Sequence, residues 1–193
     1  MKVCVFGAAS NEIDKNYITL VEEFGEMLAK NSHSLVFGAG ANGLMGAVAR
    51  GVTKGGGKIQ GVIPHFFREE SVEHIYDKCD ELIFTDTMAQ RKAKMEELAD
   101  AFVIVPGGIG TFEEMFEVLT LKQLKRHDKA IVIYDINNYY KELEDMLLKA
   151  FNERFARNDC RLLYHYTNNP QDAIDYLENY KPIGLSVHDL KNG

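Results

Sequence analysis

The stretch Pro106-Gly-Gly-Ile-Gly-Thr-Phe-Glu-Glu114 sets three glycines, a threonine and two carboxylates directly behind an apolar run. Pro106 stops that run, and Gly107, Gly108 and Gly110 let the backbone turn tightly and approach a ligand closely. Thr111 is a good N-cap for the helix expected from Thr111 to Lys125. A glycine turn feeding a helix N-terminus offers unpaired N–H groups and a partial positive charge, a seat for phosphate. The same pattern also serves as a plain tight connection. Glu114 shares a helical row with Val118 and Leu121, so it opens the apolar face, whereas Glu113 aligns with the polar Glu117 and Thr120. A partly desolvated carboxylate beside an anion seat suits acid–base or cation-stabilising work. Thr111 to Glu114 also reads as a capping box, in which the glutamate only reaches back to the backbone.

A second constellation lies upstream, between Thr85 and Asp100. Thr87 and Gln90 form an N-terminal capping pair, which puts Arg91 and Lys92 near the first turn, where cations oppose the helix dipole. Arg91 shares its row with Met95 and Leu98, on the buried side. A broken local rule of this kind marks a site where Arg meets a carboxylate or phosphate in bidentate fashion, or else an arginine lying along a helix flank. Residues 38–43, Gly-Ala-Gly-Ala-Asn-Gly, match the dinucleotide pattern G-x-G-x-x-G. They follow the second strand, however, and no acid lies near position 58 to hold a ribose, so a nicotinamide-dependent oxidoreductase is the weakest reading. The histidines lack metal-ligand spacing and no metal site is expected; His127 beside Asp128 reads as a solvated helix end.

Elements that could position these residues alternate along the whole chain. Strands are expected at Lys2–Phe6, Ser34–Phe37, Lys58–Ile63, Glu81–Thr85, Phe102–Val105, Ala130–Tyr134 and near Leu162–Tyr166. Between them, helical periodicity runs through Tyr17–Leu28, Leu44–Val52, Thr87–Ala99, Thr111–Lys125, Tyr139–Phe155 and Pro170–Tyr180. The stretch from His65 to about Asp80 is the least regular, and the tail from about 181 to 193 is expected to be loosely ordered. The alternation implies right-handed crossovers and an α/β, Rossmann-like, doubly wound fold, its mainly parallel sheet covered by helices on both faces, in one nucleotide-binding domain spanning 1–193. Ligands in such folds sit beyond the carboxyl ends of the strands. Gly7 to Ser10, Gly38 to Gly46 and Pro106 to Thr111 all fall at those ends.

The 193 residues, 46% hydrophobic and 26% charged, suffice for one sizeable core. A net charge of −7 argues against a nucleic-acid partner, and no segment approaches the roughly 18 apolar residues of a membrane span. Cys4, Cys79 and Cys160 form no CxxC pair and fit a reduced cytoplasm.

With these residues in place the sequence resembles the Lonely Guy family, phosphoribohydrolases that release cytokinin bases from riboside 5′-monophosphates. Its PGGxGTxxE signature is matched in full by Pro106 to Glu114, and its Arg-Lys pair by Arg91 and Lys92. The VCVFGAAS start, GLMG at 43–46 and GVIP at 61–64 are also similar to members of the family. The resemblance implies that Arg91 and Glu114 are the essential catalytic pair. It implies that Gly107, Gly108, Ile109, Gly110 and Thr111 hold the phosphate, with Lys92, Thr120, Met88, Ser10 and Gly40 also around the nucleotide and Glu73 near the ribose. It further implies a purine nucleotide substrate, no cofactor, and a homodimer or higher homo-oligomer with sites near the subunit interface. Two departures bear on base specificity: Met88-Ala-Gln-Arg-Lys92 where the family often has Met-His-Glu-Arg-Lys, and Gly38-Ala-Gly40 where it has three glycines. Relatives labelled lysine decarboxylase are not matched in chemistry, since no lysine lies in a recognisable pyridoxal phosphate motif. The alternative is a non-catalytic nucleotide or molybdenum-cofactor carrier, which would use the same glycine turn.

Overall fold

The computed structural model describes residues 1–69 and 74–191. β-Branched and aromatic runs form the strands and the amphipathic stretches form the helices between them. In chain order the elements are β1 (Lys2–Phe6), α1 (Lys15–Lys30), β2 (Ser34–Phe37), α2 (Gly43–Lys54), β3 (Ile59–Pro64), α3 (His65–Glu69), β4 (Glu81–Thr85), α4 (Met88–Leu98) and β5 (Ala101–Ile104). They continue with α5 (Ile109–Gln123), β6 (Ala130–Tyr134), α6 (Lys141–Asn152), β7 (His165–Thr167), α7 (Pro170–Asn179) and α8 (Val187–Lys191). Short 3₁₀ segments lie at Ile136–Asn138 and Asn158–Leu163.

All seven strands pair in parallel, in the order β4-β3-β2-β1-β5-β6-β7. Because side chains alternate along a strand, β1 feeds two cores. Val3 and Val5 join Val21, Phe24 and Leu28 of α1, Val48 and Val52 of α2, and Ile174 and Leu177 of α7. Cys4 and Phe6 join Met95 of α4, Met115 and Val118 of α5, and Phe151 of α6 on the opposite face. Helices thus cover both faces, as the alternation of elements predicts. The chain winds outward from β1 in one direction through β2 to β4 and in the other through β5 to β7, so the strand order reverses between β1 and β5. The turns leaving these two strands flank the crevice where α/β folds place ligands.

The irregular stretch before Asp80 contains α3 and one antiparallel bridge, Gly40 to Ile75. In the tail, α8 buries Leu190, whose carbonyl accepts from Gln123 Nε2 at 3.0 Å and Cys160 Sγ at 3.3 Å. Glu73 lies outside the described residues.

Candidate active site

Three turns meet at the carboxyl edge of the sheet, and hydrogen bonds decide which of them remains open. The Ala8 carbonyl, just after β1, accepts from the backbone N–H of Leu44 at 2.8 Å and of Met45 at 3.2 Å. Asn11 Oδ1 accepts from Gly43 N–H at 2.8 Å. The N-terminal amides of α2 are therefore consumed in holding the β1 turn, which fills the seat a dinucleotide pyrophosphate would need. The Gly-Ala-Gly-Ala-Asn-Gly stretch is a structural junction here.

The Pro106–Gly107 turn is clamped from the protein side. Consecutive carbonyls at Val105, Pro106 and Gly107 accept from Tyr140 Oη at 2.8 Å, Ala8 N–H at 3.0 Å and Tyr139 Oη at 2.7 Å. α5 starts at Ile109 with Gly108 as N-cap, so Thr111 lies inside the first turn and is not the cap its type suggests. The reason is steric: Thr111 packs its side chain over Gly107, where a β-carbon would collide with it. A β-carbon on Gly108 or Gly110 would instead meet nothing within 4 Å, so no internal contact requires glycine at either position. What these two glycines do is keep the outer surface of the turn bare. The N–H groups of Ile109, Gly110 and Thr111 find no acceptor among the described residues, as expected of a helix start left open for an anion.

Arg91 and Glu114 face the same cavity from α4 and α5. Its volume is about 360 Å³, and its walls include the apolar Phe6, Met45 and Met95 together with Ser10, Thr111 and the glycines at 38, 40, 108 and 110. That size and mix suit a small ligand fixed by few polar groups. Arg91 is 9% exposed. Its Nε donates to the Val62 carbonyl and its Nη2 to the Gly38 carbonyl, both at 3.1 Å, and the guanidinium stands 5.4 Å from the Phe67 ring centre. No carboxylate among the described residues pairs with it in the ion-pair range. Held by two carbonyls, the Phe67 ring and the Met88 sulfur, and by no carboxylate among the described residues, this buried cation has charge to offer a ligand. Glu114 is partly buried and makes no hydrogen bond among the described residues, so the capping box with Thr111 is not formed. Burial pushes its carboxyl up to about 7, against the downward pull of Arg91. A carboxylate poised near neutrality in one cavity with a guanidinium can stabilise a cation or accept a proton from water.

The other expected site residues divide. Ser10 and Gly40 line the cavity with the glycine turn. Ile109, on the turn, is 87% exposed, and Met88, at the first turn of α4, has its Sδ 4.0 Å from Arg91 Nη1. Lys92 is turned away: its ammonium pairs with Glu113, and with Glu117 at 2.8 Å, outside the cavity lining. Thr120 is exposed on α5 and does not line the cavity, and Gly107 is buried beneath the turn. Residues that local patterns did not single out are Phe6 and the tyrosines at 139 and 140, while Gly38 and Met45 lay in the glycine-rich turn at 38–46 without an assigned role. Met95 was legible through its row with Arg91.

A parallel sheet with helices on both faces and its cavity at the reversal of strand order is a Rossmann-like α/β protein, and solved structures share that architecture. The molybdenum cofactor carrier protein of Chlamydomonas reinhardtii superposes with a TM-score of 0.70 over 92% of this chain and 95% of its own, at 21% identity. The family model described as "Possible lysine decarboxylase" matches residues 45–177. A rice protein (Oryza sativa subsp. japonica) named "Probable cytokinin riboside 5′-monophosphate phosphoribohydrolase" is 38% identical over 183 residues, covering 94% of this chain and 73% of that protein. A cytokinin riboside 5′-monophosphate phosphoribohydrolase of Arabidopsis thaliana is 33% identical over 181 residues, covering 94% and 84% respectively. The chain belongs to this phosphoribohydrolase family, the Lonely Guy family.

The decarboxylase description implies pyridoxal phosphate, which needs a lysine amine at the reacting centre. No lysine lines the cavity among the described residues, and Lys92, next to Arg91, is held by two glutamates. The residues do not fit that cofactor.

Proposed function

We propose that this protein hydrolyses the N-glycosidic bond of a purine riboside 5′-monophosphate, of cytokinin type or AMP, releasing the free base and ribose 5-phosphate. The observation that carries the reading is the junction in one cavity of an open α5 N-terminus with Glu114, one helical turn further along the same helix, and Arg91. Family membership supports it. In this reading the 5′-phosphate rests on the amides of Gly108 to Thr111, which brings C1′ of the ribose to Glu114. The C1′–N9 bond breaks with its electron pair going to the purine, and positive charge spreads over C1′ and the ring oxygen, as in glycoside cleavage generally. Glu114, as carboxylate, stabilises that charge and takes a proton from the attacking water, and the proton ends on the departing base. Arg91, with Nε and Nη2 committed to carbonyls, offers Nη1 to the base or to Glu114. The relatives named phosphoribohydrolases are 38% and 33% identical to this chain and the carrier protein only 21%, which is why we favour hydrolysis over carriage.

Phosphate anchoring turns remote binding energy into positioning. AMP is then hydrolysed with kcat/KM at least about a hundredfold above adenosine, an effect of about 3 kcal/mol. Equal turnover of the two, followed by chromatography of released adenine, contradicts the reading.

The same reading carries a homo-oligomer with its sites near the subunit interface. α4 and α5, which carry the site, leave Met88, Ile109 and Phe116 exposed by 38%, 87% and 40%, and apolar surface of this kind favours burial against a second copy. We further propose a cytoplasmic location, with which the free thiols of Cys4, Cys79 and Cys160 are consistent.

A further inference from the structure

We infer that Tyr139 is a positioning residue for the phosphate seat, aiming the Gly108 amide at the ligand; the inference rests on the functional reading above. A trans peptide unit is planar and its C=O and N–H point in opposite directions. The bond from Tyr139 Oη to the Gly107 carbonyl, 2.7 Å, draws that oxygen toward the protein. The N–H of the same peptide unit belongs to Gly108, the N-cap of α5, so it is turned the other way, and Gly108 is one of the residues lining the cavity. One hydroxyl thus sets the direction of the first donor in the seat.

The chain invests considerable structure in that hydroxyl. Asp135, 2% exposed, accepts from the Tyr140 N–H at 2.7 Å and from the Tyr166 hydroxyl, fixing the start of the turn. Asn137 and Asn138 both sit in left-handed backbone, at φ 56° and 58°, a conformation non-glycine residues seldom hold twice in succession. The result is two adjacent tyrosines whose rings stand 5.0 Å apart at 85°. One hydroxyl reaches the Val105 carbonyl and the other the Gly107 carbonyl. Tyr140 is fully buried and has an ordinary scaffolding role. Tyr139 is 41% exposed, so packing explains its ring less well than the hydrogen bond explains its hydroxyl.

The test is Tyr139→Phe, which keeps the ring and its edge contact with Tyr17, 6.2 Å away, and removes one oxygen. Tyr17→Phe is the control, changing the same aromatic pair without touching the clamp. The expected result for Tyr139→Phe is a KM for AMP raised about fivefold to tenfold, the size of one hydrogen bond. Its kcat stays within about twofold and its slow turnover of adenosine is unchanged, the pattern of lost uniform binding. The dissociation constant of ribose 5-phosphate, measured by calorimetry, rises by the same factor. A folded Tyr139→Phe protein with unchanged KM and unchanged ribose 5-phosphate affinity overturns the inference, as does an equal loss with adenosine. If the wild type releases no base from AMP, the functional reading fails, while ribose 5-phosphate and inorganic phosphate binding still decide the role of Tyr139.

Discussion

Lys92 on α4 and Glu113 on α5 form an ion pair on the outside of the two helices whose next residues, Arg91 and Glu114, face the cavity. Successive helical residues point about 100° apart, so one pair can bind the helices together while the other works between them. Lys92 also pulls the Glu114 carboxyl down, whereas Glu113 and Glu117 push it up. Lys92→Met removes the downward pull and leaves the glutamates facing each other. The acid limb of the pH–rate profile should move to higher pH, and stability should fall by roughly 1–2 kcal/mol, a magnitude discounted for the exposure of Glu113. Chemical denaturation and a pH series on the one variant check both.

Glu114 itself gives two pH dependences of opposite sense. Its folded pKa, about 7, lies above the ordinary value of 4.5. If the carboxylate is the working form, kcat/KM rises with pH through about 7 and then levels off. For stability the sign reverses. The folded state holds the proton more tightly than the unfolded state, so the contribution is fully present below about 4.5 and is lost as pH rises to about 7. Glu114→Gln cannot ionise. It should therefore be more stable than wild type at pH 8, with the difference shrinking as pH falls from 7 toward 4.5, measured by thermal melts across that range.

Gly110→Ala separates stability from function. Its β-carbon meets no protein atom within 4 Å, and the residue lies in the first turn of α5. Replacing a helical glycine should stabilise the fold by about 0.5–1 kcal/mol. The new methyl occupies the bare surface of the phosphate seat, so KM for AMP should rise about tenfold or more. A melting curve together with initial rates distinguishes this from a glycine kept for folding.

Gly38→Ala acts on the opposite wall. A β-carbon there would overlap the Arg91 guanidinium, lying 2.9 Å from its Cζ. Arg91 must shift, losing its bond to the Gly38 carbonyl. A catalytic group moved by about an ångström costs on the order of a hundredfold in rate. We expect kcat to fall by that order with far-ultraviolet circular dichroism unchanged.

The bounds of several strands and the capping box of α4 were legible because each depends on neighbours in sequence: β1, β2, β4 and β6 span the residues their β-branched runs predict, and Thr87 with Gln90 forms both bonds of the box. The start of α5 was not. Thr111 is a good cap by type, yet Gly108 is the cap and the Thr111 side chain packs over Gly107 from inside the first turn. Lys92 shared a sequence signal with Arg91, and only the packing of α4 on α5 sends one to Glu113 and the other to the cavity. The Tyr139 clamp depends on two left-handed asparagines and a carbonyl 32 residues away in the chain, which no local pattern encodes. Ala39, in a left-handed conformation at φ 64°, occupies the middle of the segment where the family often has three glycines, so the chain keeps the turn at a backbone cost of about 1–2 kcal/mol.

The most direct test of the account is base release from AMP and from isopentenyladenosine monophosphate by wild type and Glu114→Gln side by side, with ribose 5-phosphate affinity measured on both. The account predicts that wild type releases free base from at least one of them, and that Glu114→Gln loses this release while still binding ribose 5-phosphate. No release by folded wild-type protein, or undiminished release by Glu114→Gln, contradicts it.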